Sequence, residues 1–370
     1  MPTRDLTFAI VGSGGDGVIT VGDMMAQAGA SEGLHVMKVE AYGPQIRGGE
    51  SSCTVRLSAD PIFAQGDLVQ VLVVFNWADF ARFRGEIICG ENAIILYEAT
   101  DETPHDQIDL GPIEEVKWVS VPFIELAKES AGTTLAKNIV TLGLLGELFN
   151  LPKDAMERAI KGKFSKKKKA VLEANIKGFE AGIKHASKIE EAASGMRLQY
   201  TPGEPMLLMS GNELSAVAAL HAGCRFFAGY PITPSSEVLH LLSELMPKVG
   251  GYLVQTEDEL SAIGAVIGGS FAGVKSMTAT SGPGLALMTE MLGLASMAEI
   301  PAVIIDVQRG GPSTGLPTKS EQSDLWQALW GSHGDAPRVV LAPADDEDCF
   351  HATVAAFNIA EEAQMPVVVL

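Results

Sequence analysis

Leu6-Thr-Phe-Ala-Ile-Val-Gly-Ser-Gly-Gly-Asp-Gly17 stands near the start of the chain and dictates a local shape. Residues 6–11 are a short, mostly apolar run of the kind that forms a strand buried on both faces. Four glycines, at 12, 14, 15 and 17, follow it directly. Residues 18–29 then suit a helix and 35–40 a second strand, so the opening reads as a β-loop-α-β unit. Further buried strands are expected at 68–75, 93–97 and 118–121. Strands of this type alternating with helices predict a largely parallel sheet covered on both faces.

From residue 136 the pattern turns helical, over 138–149, over 152–160 with proline at its start, and over 166–186. Residues 190–205, which include two prolines, two glycines and a serine, read as an interdomain linker. A second α/β domain begins at 206, with strands expected at 226–228, 251–255, 276–280, 302–307 and 338–342. The fold class is therefore α/β in two domains, 1–189 and 206–370, each with a largely parallel sheet. No short internal repeat marks a solenoid. The last residues, 366–370, look like a buried strand, and further chain is expected beyond it.

A length of 370 residues is too great for one ordinary core, in keeping with two domains. The 46 acidic and 27 basic side chains leave a formal charge of -19, which repels phosphate backbones and anionic lipid. Neither nucleic acid nor a membrane is an expected partner, and Lys166-Lys-Lys-Lys169 reads as a solvated helix start. Cys53, Cys89, Cys224 and Cys349 stand singly, with no C-x-x-C pair, so no zinc or iron–sulfur cluster is expected on this chain. Met-Pro-Thr-Arg-Asp at the start lacks the apolar core of a signal peptide, and no apolar run reaches the ~18 residues of a membrane span. A cytoplasmic location is expected.

Gly12, Gly14, Gly15 and Gly17 let backbone N–H groups close on a phosphate at the positive end of the following helix. Their Gly12-x-Gly14-x-x-Gly17 spacing satisfies the dinucleotide pattern, and Glu40 lies near where such a site wants an acid for the ribose. An NAD-dependent dehydrogenase is thus an open alternative, as is a plain tight turn.

Four motifs in the second domain follow expected strands. They are Gly229-Tyr-Pro-Ile-Thr-Pro-Ser-Ser-Glu237, Gln255-Thr-Glu-Asp-Glu-Leu-Ser261 running into a small-residue helix, Thr278-Ala-Thr-Ser-Gly-Pro-Gly-Leu285, and Gln308-Arg-Gly-Gly-Pro-Ser-Thr-Gly-Leu-Pro-Thr-Lys319. Open α/β sheets bind ligands at the carboxyl ends of their strands, where Thr233, Ser235 and Glu259 would fall. Taken singly, each motif also reads as a helix cap or a strand-to-helix turn.

In order along the chain, these motifs resemble the fused γ and α part of 2-oxoacid:ferredoxin oxidoreductases, 2-oxoglutarate enzymes most of all. The first glycine loop, together with Ala41-Tyr-Gly-Pro-Gln-Ile-Arg-Gly-Gly49, resembles the γ domain, and residues 138–182 look like its helical end. The resemblance associates that domain with coenzyme A, so that Gly12, Gly14, Gly15 and Gly17 become cofactor-binding candidates. Arg47 is then a partner for phosphate or carboxylate, or else a structural ion pair.

The second domain is similar to the α subunit, and the resemblance implies half of a thiamine diphosphate site. Tyr230, Pro231, Ile232, Ser281 and Gly282 are its cofactor-lining candidates, and Thr233 contacts substrate. Glu259 is the implied catalytic carboxylate, hydrogen-bonded to N1′ of the aminopyrimidine and favouring its 4′-imino form, which removes the C2 proton. Glu257 and Asp258 read as charges at a helix N-terminus. Arg309 grips the 2-oxoacid carboxylate with its planar fork. Ser313, Thr314, Thr318 and Lys319 form a polar loop facing the substrate's far end, and Lys319 or Arg47 would pair with a second carboxylate. His333 reads either as a proton donor near the site or as a loop histidine bound to its neighbours.

The implied reaction converts 2-oxoglutarate or a related 2-oxoacid to an acyl-CoA and carbon dioxide, with electrons passed to ferredoxin. A β subunit is expected to bring the Mg2+–diphosphate site and a [4Fe-4S] cluster, in an (αβ)2 assembly. A non-catalytic regulatory subunit is the other alternative, since it would keep the fold without needing Glu259.

Overall fold

The computed structural model describes residues 3–43, 49–113, 115–193 and 196–370. It divides into two compact units that meet in sequence at residue 208.

The first unit runs β1 (Asp5–Ser13), α1 (Val18–Ser31), β2 (His35–Tyr42), β3 (Glu50–Ser58), β4 (Val69–Val74), α2 (Trp77–Phe83), β5 (Cys89–Glu98), β6 (Val116–Val121), α3 (Phe123–Ala131), α4 (Lys137–Leu148), α5 (Lys153–Phe164) and α6 (Lys169–Ile189). Its sheet has the order β2-β3-β1-β4-β5-β6. Strands β1, β4, β5 and β6 are mutually parallel, as the buried apolar runs predict, whereas β3 is antiparallel to both β1 and β2. Strand β3 was not among the sequence expectations. Its sequence, Glu-Ser-Ser-Cys-Thr-Val-Arg-Leu-Ser, is too polar to look buried, yet Ser51, Ser52 and Ser58 are buried in it. Neighbours on both edges supply the hydrogen bonds that its polar composition hides.

Alternate residues of β1 serve two cores. Phe8 and Ile10 pack with Val21, Met25, Ile139 and Leu142, while Ala9 and Val11 pack with Trp77 and Phe80 on the opposite face. Helix α4 is apolar nearly all round and is covered by α6 at very close range. A methyl on Gly143 would stand 2.0 Å from the Phe179 carbonyl oxygen, and one on Gly182 would stand 2.0 Å from that of Val140. The described part of 190–205, read from sequence as a linker, lies against this unit. Leu198 is buried and bridges to Thr3, Gly203 N donates to Glu32 O at 2.9 Å, and Met206 N donates to Ala30 O at 2.8 Å. Lys166, Lys167 and Lys168 are exposed just ahead of α6.

The second unit runs α7 (Gly211–His221), β7 (Phe226–Gly229), α8 (Ser236–Leu245), β8 (Tyr252–Gln255), α9 (Glu259–Phe271), β9 (Ser276–Thr280), α10 (Gly282–Met297), β10 (Ala302–Asp306), α11 (Leu325–Trp330), β11 (Val339–Leu341), α12 (Asp346–Ala363) and β12 (Pro366–Val369). Ser210 and Glu213 form a capping box that starts α7. The sheet order is β11-β12-β10-β9-β7-β8, with every pair parallel. Met277, Val303, Ile305 and Val367 point to α7, α8 and α12, while Ile304 and Val368 point to α9, α10 and α11. Because all strands run one way, the segments after β7, β8, β9 and β10 leave the sheet at the same edge, and these are the four motifs. Among the described residues no helix is long and apolar enough to cross a membrane.

Gly143→Ala should force α4 and α6 apart, at a cost of about 1–3 kcal/mol for an overpacked contact against backbone. Amide exchange in α4 and α6 should accelerate accordingly, with exchange in the second unit unchanged. Unaltered exchange in both helices would contradict the close approach.

Candidate functional site

Glu259 is the first residue of α9, and Ala262, Ile263, Val266 and Ile267, on the same helical face, are all buried. That spacing turns its side chain toward the core, leaving it 6% exposed. Glu257, which precedes the helix, is exposed. Asp258 is the cap of α9, accepting from Ser261 N at 2.7 Å, and this bond holds its carboxyl below the usual range. Helix geometry thus separates three adjacent acids into one buried, one capping and one solvated.

The Glu259 carboxyl lies against the first turn of α10. A methyl on Gly284 would meet Thr280 Oγ1 at 2.0 Å and Glu259 Oε1 at 2.7 Å, so the glycine leaves room for the acid. Ser281 and Gly282, the pyrimidine-lining candidates, are in the same turn. Ser281 Oγ and, within β9, Thr278 Oγ1 are buried without a hydrogen-bond partner among the described residues.

Arg309, three residues past the end of β10, is 6% exposed. Its Nη1 donates to Thr233 O at 2.7 Å and its Nη2 to Thr314 O at 2.6 Å, tying two of the motifs together. Its Nε is buried and unpartnered, and among the described residues no carboxylate forms an ion pair with it. A buried guanidinium so held is short of negative charge. A carboxylate approaching from the Nε side would satisfy both.

The other expected residues fall around this centre unevenly. Tyr230 and Thr233 are exposed and Pro231 and Ile232 half-buried at the end of β7, whereas the Ser235 hydroxyl is spent on Ile232 O at 2.9 Å. Ser313, Thr314 and Thr318 are exposed on the loop after Arg309, and Lys319 is half-buried. His333 is exposed. Arg47, with residues 44–48, lies outside the described residues.

Two acids missed in the sequence bracket the loop that carries Arg309, and Asp324 feels its charge. Asp306 ends β10 and is 1% exposed, and Asp324 is the cap position of α11. Burial, reinforced by the charge of Asp324, pushes the Asp306 carboxyl well above the usual carboxylate range, and burial raises Asp324 as well. The available signal was an acid closing the otherwise apolar strand Ala-Val-Ile-Ile-Asp.

In the first unit, Gly12 lies within β1 and Gly17, at φ 77°, is the cap position of α1. Three amides of the glycine loop are already used: Ser13 N on Asp16 Oδ2 at 3.0 Å, Gly14 N on Gly49 O at 2.7 Å and Asp16 N on Ser13 O at 3.0 Å. Those of Gly15 and Gly17 have no acceptor among the described residues. Asp16 is paired with Lys137 at 2.8 Å, and Ser13 Oγ donates to Asp79 at 2.6 Å. The nicotinamide alternative fails on topology. β3 intervenes between β1 and β2, so Glu40 lies on a strand two positions from the glycine loop instead of beside it, and its carboxylate is occupied by Lys38 at 2.5 Å and by the Tyr42 hydroxyl.

Comparison with known proteins agrees with this geometry. Residues 7–185 match the family of pyruvate ferredoxin/flavodoxin oxidoreductases, and residues 217–370 match the thiamine diphosphate-binding domain of pyruvate flavodoxin/ferredoxin oxidoreductases. A 2-oxoglutarate synthase subunit KorA from Methanothermobacter marburgensis is 58% identical over 44% of this chain and 43% of its own length. The 2-oxoglutarate oxidoreductase subunit KorA of Mycobacterium tuberculosis is 34% identical over 99% of this chain and 60% of its own. The solved 2-oxoglutarate:ferredoxin oxidoreductase of Magnetococcus marinus, with 2-oxoglutarate, coenzyme A and succinyl-CoA bound, is 40% identical at a TM-score of 0.89, covering 100% of this chain and 63% of that one. The chain therefore spans roughly two fifths to two thirds of the length of these relatives. With both units matched in the order of the motifs, the chain belongs to the pyruvate ferredoxin/flavodoxin oxidoreductase family, the 2-oxoacid:ferredoxin oxidoreductases.

Proposed function

We propose that the chain forms the γ and α part of an enzyme that oxidatively decarboxylates 2-oxoglutarate or a related 2-oxoacid to an acyl-CoA, passing electrons to ferredoxin. The observation that carries this reading is Arg309, a buried guanidinium with an orphaned Nε–H, standing at the same sheet edge as the buried acid Glu259. A 2-oxoacid carboxylate matches the first and an aminopyrimidine nitrogen the second.

The residues present fit a thiamine pyrimidine ring: a buried carboxyl, a glycine turn that a single methyl would fill, and two buried hydroxyls lacking partners. When bound, thiamine diphosphate supplies the nucleophilic carbon and electron sink that a 2-oxoacid needs to lose carbon dioxide. Glu259, buried at the start of α9, would hold N1′ of the pyrimidine through a hydrogen bond. Ser281 and Gly282 would border the ring, with Tyr230, Pro231 and Ile232 at the end of β7 as further lining candidates. Arg309 orients the substrate through its carboxylate, and Thr233, Ser313, Thr314 and Thr318 offer hydroxyls around it. For coenzyme A, the support is the ligand of the Magnetococcus marinus relative and the two open amides, Gly15 and Gly17, of the first glycine loop. We place the Mg2+–diphosphate site and the [4Fe-4S] cluster on a β subunit, in an (αβ)2 assembly working in a reducing cytoplasm, where the four cysteines stay as free thiols.

Glu259→Gln in the complex reconstituted with its β subunit should lower turnover by about 100-fold or more, the scale of removing an acid–base group, without loss of assembly. A small loss would favour a regulatory subunit. The chain on its own should not turn over 2-oxoglutarate with coenzyme A and ferredoxin; turnover without a partner would refute the half-site reading. Lys319→Met and Arg47→Met, made separately, test the distal carboxylate. At least one should erode the preference for 2-oxoglutarate over pyruvate, and wild-type preference in both would remove these residues from that role.

A further inference from the structure

Asp306 and Asp324 sit at the two ends of the loop that carries Arg309. Asp306 is the last residue of β10, while Asp324 stands at the head of α11. Between them the chain folds on itself: Gly310 N donates to Lys319 O and Leu316 N to Gly310 O, each at 2.8 Å, and Arg309 reaches Thr314 O. A methyl on Gly315 would fall 1.8 Å from Gly310 O, so the turn is closed tightly as well. Asp324 N on Gln308 Oε1 at 3.1 Å closes the loop end to end, Val307 N on Thr280 O at 2.9 Å and Arg309 Nη1 on Thr233 O at 2.7 Å join it to neighbouring segments, and the pair of carboxyls stands where its two ends meet.

Both oxygens of Asp306 and Oδ2 of Asp324 are buried, and none receives a hydrogen from any N–H or other donor among the described residues. Two carboxylates facing each other there would be a buried repulsion with nothing to offset it. One proton between them turns that repulsion into an O–H···O⁻ bond, among the strongest available. The site also says which acid keeps the proton. Asp324 Oδ1 lies where a methyl on Gly282 would be only 2.6 Å away, at the positive end of the 16-residue helix α10, and Arg309 favours its ionised form. Asp306, deeper and without such support, is the donor.

We propose that Asp306 and Asp324 share one proton and thereby form a clasp that holds the loop 307–324 closed over the strand ends, positioning Arg309 for its ligand. Loss of that proton to water leaves two buried anions and releases the loop. The charged groups that act on the pair are Arg309 and Glu321, both from the loop itself, while Glu259 of α9 lies at the same helix N-terminus and Thr280 stands opposite Asp306 on the neighbouring strand β9. The sign follows from the raised carboxyls. Their contribution to stability is complete below the ordinary aspartate range and is lost as pH rises through their elevated folded values. The clasp depends on the proposed function only in calling Arg309 an oxoacid grip.

Two measurements on the full chain, without substrate or cofactor, test it. Infrared difference spectroscopy on an upward pH jump that starts above the ordinary aspartate range should show loss of a protonated-carboxyl C=O band, and Asp306→Asn should abolish that band. Amide exchange in 307–324, corrected for its intrinsic pH dependence, should speed up by about tenfold or more across the same transition, a free-energy change of about 1.4 kcal/mol between closed and open loop. Asp306→Asn or Asp324→Asn, in which an amide donates permanently to the remaining carboxylate, should leave the loop protected at both pH values. Absence of the band in the wild-type chain, or pH-dependent exchange persisting in both asparagine variants, would overturn the clasp. Since neither measurement involves turnover, failure of the 2-oxoacid reading would appear only in the activity assays and would leave the clasp standing.

Discussion

A guanidinium taken out of water must be surrounded by acceptors, and the second unit is organised around that demand at Arg309. Its two amino groups reach backbone carbonyls of Thr233 and Thr314, which draws the segment after β7 and the loop after β10 into one wall. Backbone oxygens serve as acceptors without cancelling the positive charge. The cation is thereby fixed in place and left electrostatically incomplete, with Nε–H buried and unpartnered. An anionic ligand completes it; another protein carboxylate in ion-pair contact would have made it inert.

The same economy of charge explains the acids nearby. The N-terminus of α10 faces Glu259 at Gly284 and Asp324 at Gly282, so one helix end serves two carboxyls within a single turn. Glycine at both positions is a spatial requirement, since each methyl would collide with a carboxyl oxygen at 2.7 Å or less. The site is built mostly from backbone and small residues, around a few buried charges held at the ends of parallel strands.

The first unit resembles a dinucleotide fold in its glycine spacing and departs from it in its sheet. One antiparallel strand between β1 and β2 removes the acid expected at the ribose, and Glu40 is drawn instead into a cluster with Lys38 and Tyr42 at the sheet edge. A glycine pattern constrains a turn and a helix start; which strand lies alongside is a question of pairing between distant segments.

Much of the architecture follows from the sequence because its rules are local. The buried runs at 226–228, 276–280 and 302–307 became β7, β9 and β10 nearly residue for residue, and Asp258 followed by apolar residues at helical spacing oriented Glu259 inward. Polar β3 was invisible, because its hydrogen bonds come from strands on either side, and the connection at 190–205 gave no sign that Leu198 would be buried. Nor could spacing bring Asp306 to Asp324, or leave Arg309 Nε without a partner. Propensity and periodicity act over a few residues, whereas burial, charge compensation and the lack of it arise only when segments far apart in the chain are brought to the same edge of a sheet.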